Sequence, residues 1–210
     1  MGMTKSGKIA AITNCHDQAD NVDEQTYTAD SAKKSRGKIV TDYLTSDWTP
    51  EAYLEHLVAE KHAYQPFNIL LGDINQLYHF NSREAAFSLL TKGTHSVSNA
   101  TLNTPWPKVR KTKQTLDALL TEESLFLEDL FQMMHDATPA KDEELPSSPL
   151  PLELKRQVSA NFIQTEDFGT RSTTILLVDH QNNVTFVERI YQNGQYDREQ
   201  VFTFEVEDDF

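Results

Sequence analysis

Thr173-Thr174-Ile175-Leu176-Leu177-Val178, Val184-Thr185-Phe186-Val187-Glu188-Arg189-Ile190-Tyr191 and Gln200-Val201-Phe202-Thr203-Phe204-Glu205-Val206 are three runs rich in β-branched and aromatic residues. Such residues fit a pleated, half-buried surface, so each run reads as a strand. His180 to Asn183 separates the first two, and Asn193-Gly194 lies between the second and third. Asn-Gly suits a tight hairpin turn because both of its central residues take positive φ. The last third of the chain is therefore expected to be a three-stranded antiparallel meander.

Towards the N-terminus the period lengthens. Pro107 to Leu120 and Glu123 to His135 read as helices, the second with Leu127, Leu130, Phe131 and Met134 turned inward. Residues 138–151, with Pro139, Pro146, Pro149 and Pro151, read as a loop. Gly93 to Ala100 is expected to be a strand. Phe67 to Gly72 and Leu77 to Phe80 read as two strands around a turn at Asp73 to Gln76. Thr49-Pro50-Glu51 supplies an N-cap, a first-turn proline and an acid, so a helix should run to about Ala63 with Leu54, Leu57 and Val58 buried. Arg36 to Ser46 places Ile39, Val40, Tyr43 and Leu44 on one helical face, and Lys8 to Thr13 reads as a buried strand. Residues 15–35 are polar and without period, a loop. Strands, then helices, then a meander argue for an α+β layered sandwich.

With 210 residues, 38% of them hydrophobic, the chain should form a single domain over 1–210. A net charge of −13 repels phosphate backbones and anionic lipid head groups alike, which argues against nucleic acid as a partner. The acidic stretches Asp17 to Asp30, Asp136 to Glu144 and Glu205 to Asp209 lack apolar period and read as solvated loops and tail. No run approaches a membrane span and the N-terminus lacks a signal-peptide core, so no transmembrane segment is expected and the location is read as cytoplasmic. The single cysteine, Cys15, rules out an intramolecular disulfide and fits a reducing compartment. Met1 to Ser6 matches the N-myristoylation pattern, although the same residues also suit a strand edge.

Several chemistries lack their residues. The seven His never make a His-Glu-x-x-His spacing, and one Cys cannot build a thiolate zinc site, so no metal is expected. The seven Gly never occur as Gly-x-Gly or in Gly-x-Ser-x-Gly, which excludes these phosphate-loop and nucleophile-elbow signatures. If the first strand continued through Cys15 and His16, their side chains would point to opposite faces and could not form a nucleophile–base pair. Cys15 then reads as a free, partly exposed thiol. Asn14 and Asn99 fall where strands end, a position Asn favours because it bonds its own backbone. Pro105-Trp106-Pro107 reads as a rigid turn that sets Trp106 in the core and starts a helix at Pro107.

Val97-Ser98-Asn99-Ala100-Thr101-Leu102-Asn103-Thr104-Pro105-Trp106-Pro107-Lys108-Val109 and Phe168-Gly169-Thr170-Arg171-Ser172-Thr173-Thr174 resemble the two most recognisable segments of the NRDE family, also called the transport and Golgi organisation protein 2 family. Gly7 to Asn14, Arg36 to Val40, Phe67 to Asp73 and Val184 to Arg189 are similar to further family blocks in the same order. The family begins with Cys after the initiator Met, then Asn-Arg-Asp-Glu, and neither is in this sequence. The resemblance thus implies an N-terminal nucleophile hydrolase-like αββα sandwich, N-terminally truncated.

In the related amidohydrolases the N-terminal Cys attacks an amide while its own amine, with a pKa near neutral, takes the proton. Carried over by position, Asn14 and Asn99 match oxyanion-side residues and Arg171 matches the Arg that supports the nucleophile. No intact catalytic set remains, and Arg171 equally suits an ion pair with Glu166 or Asp167. The resemblance implies a non-catalytic cytoplasmic protein acting in Golgi organisation, protein secretion and intracellular haem trafficking, with association to Golgi or mitochondria. Its partners would be a small-molecule or haem ligand and secretory-pathway proteins, with no cofactor required. His79 and His95 are generic candidate haem ligands. The alternative is a fragment of an N-terminal Cys amidohydrolase or acyltransferase acting on a C–N amide bond.

Overall fold

A computed structural model describes residues 1–15, 33–147, 150–166 and 168–207. Residues 16–32 of the expected 15–35 loop, with His16, lie outside the described residues, as do Asp167 and the tail from 208. The architecture is mixed α and β, with antiparallel sheets, as the meander and helical periods predict. The chain clusters into two compact units: residues 1–93 and 97–104 with the chain from Val206 on, and residues 94–96 with 105–205.

The first unit holds a five-stranded antiparallel sheet in the order β1-β2-β3-β4-β5. Its strands are β1 (Gly2–Met3), β2 (Lys8–Asn14), β3 (Phe67–Asp73), β4 (Leu77–Asn81) and β5 (Ala86–Leu89). Register decides which side chains share a face. Ala10 pairs with Leu71, Leu71 with Tyr78 and Ile69 with Phe80, so these point one way. Two helices, α1 (Gly37–Leu44) and α2 (Pro50–Glu60), add Ile39, Val40, Tyr43, Leu54 and Leu57 to that same buried cluster. Thr49 caps α2 as the sequence predicts, its Oγ1 accepting from Ala52 N at 3.3 Å. The β3–β4 turn needs glycine: a Cβ on Gly72, at φ +155, would fall 2.1 Å from the Gln76 carbonyl oxygen. Tyr43 Oη donates to the Gly72 carbonyl at 3.0 Å and ties α1 to that turn.

The second unit holds the meander of β6 (Ser172–Val178), β7 (Asn183–Gln192) and β8 (Gln195–Glu205). Asn193 and Gly194 take φ +50 and +75, the double positive-φ turn expected of Asn-Gly. Helices α3 (Pro107–Leu119), α4 (Leu127–Met134) and α5 (Leu152–Val158) complete the unit. Leu130 and Phe131 of α4 bury against Ile175 and Val187 of the sheet. Arg189 fixes the same helix: its guanidinium lies 3.8 Å from the Phe131 ring centre and pairs with Glu128 and Glu199, each at 2.9 Å.

Three expectations need correction. Gly93 to Ala100 is not a strand; the sheet is completed by β5, and the segment's polar side chains bond to distant parts of the chain instead, such as Thr94 Oγ1 to Asp117 at 2.8 Å. Helix α4 starts at Leu127, four residues after the expected Glu123. Helix α5 follows directly on Pro151, and with seven residues and none of them buried it gives little periodic signal. No helix among the described residues is long and apolar enough to cross a membrane.

Leu54 has no exposed surface. Leu54→Ala should therefore cost about 3 kcal/mol of stability, the usual range for a buried leucine. Tyr43→Phe, which strips the Gly72 carbonyl of its donor, should cost about 1 to 2 kcal/mol. Urea unfolding monitored by circular dichroism measures both, and a negligible loss at Leu54 would contradict this packing.

Candidate functional site

At one end of the five-stranded sheet the second face is also buried, and there it is polar. Thr13 pairs with Asn68 and Asn68 with Asn81, so Asn68 of β3, His79 and Asn81 of β4, and Cys15 just past β2 converge at one end of the sheet. Asn68 is 1% exposed, Asn81 2%, His79 4% and Cys15 4%. Polar groups this deep must be paired, because an unmet donor or acceptor costs its full desolvation.

Backbone atoms fix the polarity of the whole chain of bonds. The Ala100 carbonyl can only accept, and it takes a bond from Asn68 Nδ2 at 2.8 Å. Asn68 Oδ1 is thereby set inward as an acceptor, receiving Asn81 Nδ2 at 2.9 Å and His79 Nε2 at 3.0 Å. His79 must then carry its hydrogen on Nε2. The amides of Arg83 and Glu84 can only donate, and both donate to Asn81 Oδ1, at 2.9 and 3.1 Å. Asn81 Nδ2 is left to face Cys15 Sγ at 3.5 Å.

Cys15 is therefore neither exposed nor in a loosely held loop, contrary to the sequence expectation. Its amide donates to the Pro66 carbonyl at 3.1 Å, and burial pushes its thiol pKa up despite the opposing bond from Asn81. Burial likewise holds the His79 imidazole below its ordinary value. Burial thus favours the protonated thiol and the neutral imidazole in this set.

Asn99 comes to the same end of the sheet: its Nδ2 faces the Asn14 carbonyl at 3.5 Å. Asn14 closes β2 with its own side chain exposed, so the contact uses its backbone. Arg171 belongs to the second unit, is exposed, and accepts a bond from the Tyr191 amide at its carbonyl. No ion pair joins it to Glu166 among the described residues. Asn68 and Asn81 escaped selection as site residues, and His79 entered only as a generic haem ligand, because a strand period marks faces and gives no warning that this end of the second face is both buried and polar. Trp106 is half-buried, with α3 starting at Pro107 as expected. No group of three or more His, Cys, Asp or Glu able to hold a metal occurs among the described residues.

The sequence pattern of the Transport and Golgi organisation 2 family matches residues 1–193, a span that includes every residue of this network. The chain belongs to that family. It is 30% identical to the Transport and Golgi organization 2 homolog of Mus musculus, over 98% of this chain and 76% of the relative. Identity to the Transport and Golgi organization protein 2 homolog of Homo sapiens is 29% over the same shares, and to that of Bos taurus 30% over 90% and 70%. The resemblance drawn from the Asn99 and Arg171 segments is thus sound at the level of family.

Two measurements test the network. Because Cys15 reacts only when the site opens, native iodoacetamide labelling at pH 8 should run roughly a hundredfold slower than for a free thiol. Labelling in urea should be complete, and fast native labelling would mean that the thiol is not buried. His79 has a depressed folded pKa, so the unfolded state binds its proton first as pH falls. Its contribution to stability is full above about pH 6.5 and is lost as pH drops below that value. His79→Leu should flatten this part of the stability–pH curve.

Proposed function

We propose that this chain acts in transport and Golgi organisation as a non-catalytic member of its family, carrying a ligand instead of cleaving a bond. The observation that supports this most is the network itself: the one thiol of the chain faces an amide nitrogen, and burial holds its proton. We place the protein in the cytoplasm, in contact with secretory-pathway proteins and associated with Golgi or mitochondria. The layered αββα arrangement of N-terminal nucleophile hydrolases is part of the same reading. It is supported by the five-stranded sheet, which has α1 and α2 over one face and is buried on the other at the Asn68 end.

Haem trafficking belongs to this proposal as well. His79 is a poor ligand for it, because Asn68 holds its Nε2 and the ring is buried. His95 remains the candidate. A second reading, hydrolysis or acyl transfer at a C–N amide bond by an N-terminal Cys nucleophile, draws on the Asn99 side chain, whose amide reaches the end of β2.

Expression in cultured cells lacking their own family member should restore Golgi morphology and the rate of cargo secretion. A folded protein that restores neither would sink the reading. Stoichiometric haem should shift the haem absorbance band on mixing, and an unchanged spectrum removes haem from the proposal. Amide hydrolysis should be absent; turnover that falls roughly a hundredfold in Asn99→Ala would instead establish Asn99 as an oxyanion donor.

A further inference from the structure

Helix α3 opens with charges set against its own dipole. Its first residues, Pro107-Lys108-Val109-Arg110-Lys111, include three cations and no acid, and no side chain caps the helix. Cations are disfavoured at this end, where the free N–H groups already carry partial positive charge. In a chain with net charge −13, carboxylates are plentiful. Two of the cations have one: Arg110 pairs with Glu144 at 2.6 Å, and Lys111 with Asp136.

Lys108 has none. Its Nζ donates to the Val158 carbonyl at 3.1 Å and lies 5.9 Å from the centre of the Trp106 ring, and no carboxylate pairs with it among the described residues. A half-buried ammonium held by one neutral acceptor has two N–H groups left and no counter-charge. Burial accordingly holds it below the usual lysine range. The neighbouring Trp106 indole Nε1 is also buried with no acceptor among the described residues. Trp106 does not line the cleft beside it, so it is the remaining Lys108 donors that point to an acceptor there.

Lys108, Arg110, Lys111 and Lys141 line one cleft of about 280 Å³ together with Asp136 and Glu144. Four positive and two negative groups leave two positive charges unmatched. We propose that this cleft binds a dianionic phosphate-monoester group, with Lys108 as its anchor and the exposed Lys141 as the second cation. A dianion cancels the surplus, and its three terminal oxygens can accept both remaining Lys108 donors. The volume leaves room for a small carrier beyond the phosphate. Because the cleft lies wholly in residues 105–205, the proposal is independent of the network around Asn68.

The test is thermal unfolding of the full chain titrated with inorganic phosphate at constant ionic strength, beside flotation with phosphatidylcholine vesicles carrying phosphatidic acid. Phosphate should raise Tm saturably. Lys108→Met, which keeps the buried stem, should weaken that effect roughly tenfold or more, the size expected on losing one charged hydrogen bond. Lys141→Ala should weaken it less, and Lys38→Ala, in the other unit, not at all. In phosphate-free buffer Lys108→Met should unfold no earlier than the parent, because it removes an unpaired cation, whereas a merely structural lysine would leave it less stable. Flotation lost in Lys108→Met assigns the phosphate to a lipid headgroup, and a Tm response without flotation assigns it to a soluble ester. The proposal is overturned by no saturable response to either probe, or by equal affinity in Lys108→Met. Should that variant fail to fold, unchanged affinity in Lys141→Ala overturns it.

Discussion

Strand β3 is buried on both of its faces, and one of its residues is an asparagine. Everything at the polar end of the first sheet follows from the need to satisfy Asn68 without water. Its amide nitrogen claims the Ala100 carbonyl, which holds the segment from Val97 to Thr104 against the sheet. Its oxygen takes two donors, which orient His79 and Asn81. Asn81 in turn closes over Cys15. A single buried amide thus decides the tautomer of the histidine, the direction of the second asparagine and the environment of the only thiol. Replacing such a group by an apolar one of similar size would relieve its own demand and strand its partners, so these four residues stand or fall together.

Much of this fold was legible because its elements declare themselves by period and punctuation. The meander is announced by alternating Val, Ile and Phe and by Asn193-Gly194, and the start of α2 by Thr49-Pro50-Glu51. The failures have physical causes as well. Gly93 to Ala100 holds one β-branched apolar residue among Ser, Thr, His and Asn, so it has no apolar face to bury as a strand, and its side chains bond to distant partners such as Asp117 and Asn14. Helix α5 buries nothing, and an element without a buried face leaves no hydrophobic period to read. The site was legible only in its rim. Asn14 and Asn99 were found through the family resemblance and do approach one another, whereas the network behind them depends on cross-strand register, which no local pattern encodes.

The two polar features of the molecule are opposites in their electrostatics. Around Asn68 the bonded side chains are neutral: burial favours the uncharged imidazole and thiol, and Asn81 donates to Asn68. Such a set is held rigid by its own bonds. At the start of α3 the reverse holds. Cations are drawn together where the helix dipole opposes them, and one of them lacks the carboxylate that its neighbours possess. The first arrangement needs nothing more, while the second is complete only with an anion from outside.

This contrast also bears on what burial alone can say about function. Cys15 and Lys108 are both buried enough to shift in pKa, each towards its uncharged form. For Cys15 the shift removes reactivity, because the thiolate is the nucleophile and the bond from Asn81 is too weak to restore it. For Lys108 the same desolvation raises the value of any negative charge brought alongside, since Coulomb attraction strengthens as water is excluded. A carboxylate from the chain could have filled that place, as Glu144 and Asp136 do for Arg110 and Lys111 two and three residues later. With the two cations that follow it already neutralised from within, the unpaired Lys108 is a local charge choice that packing against Val158 does not require.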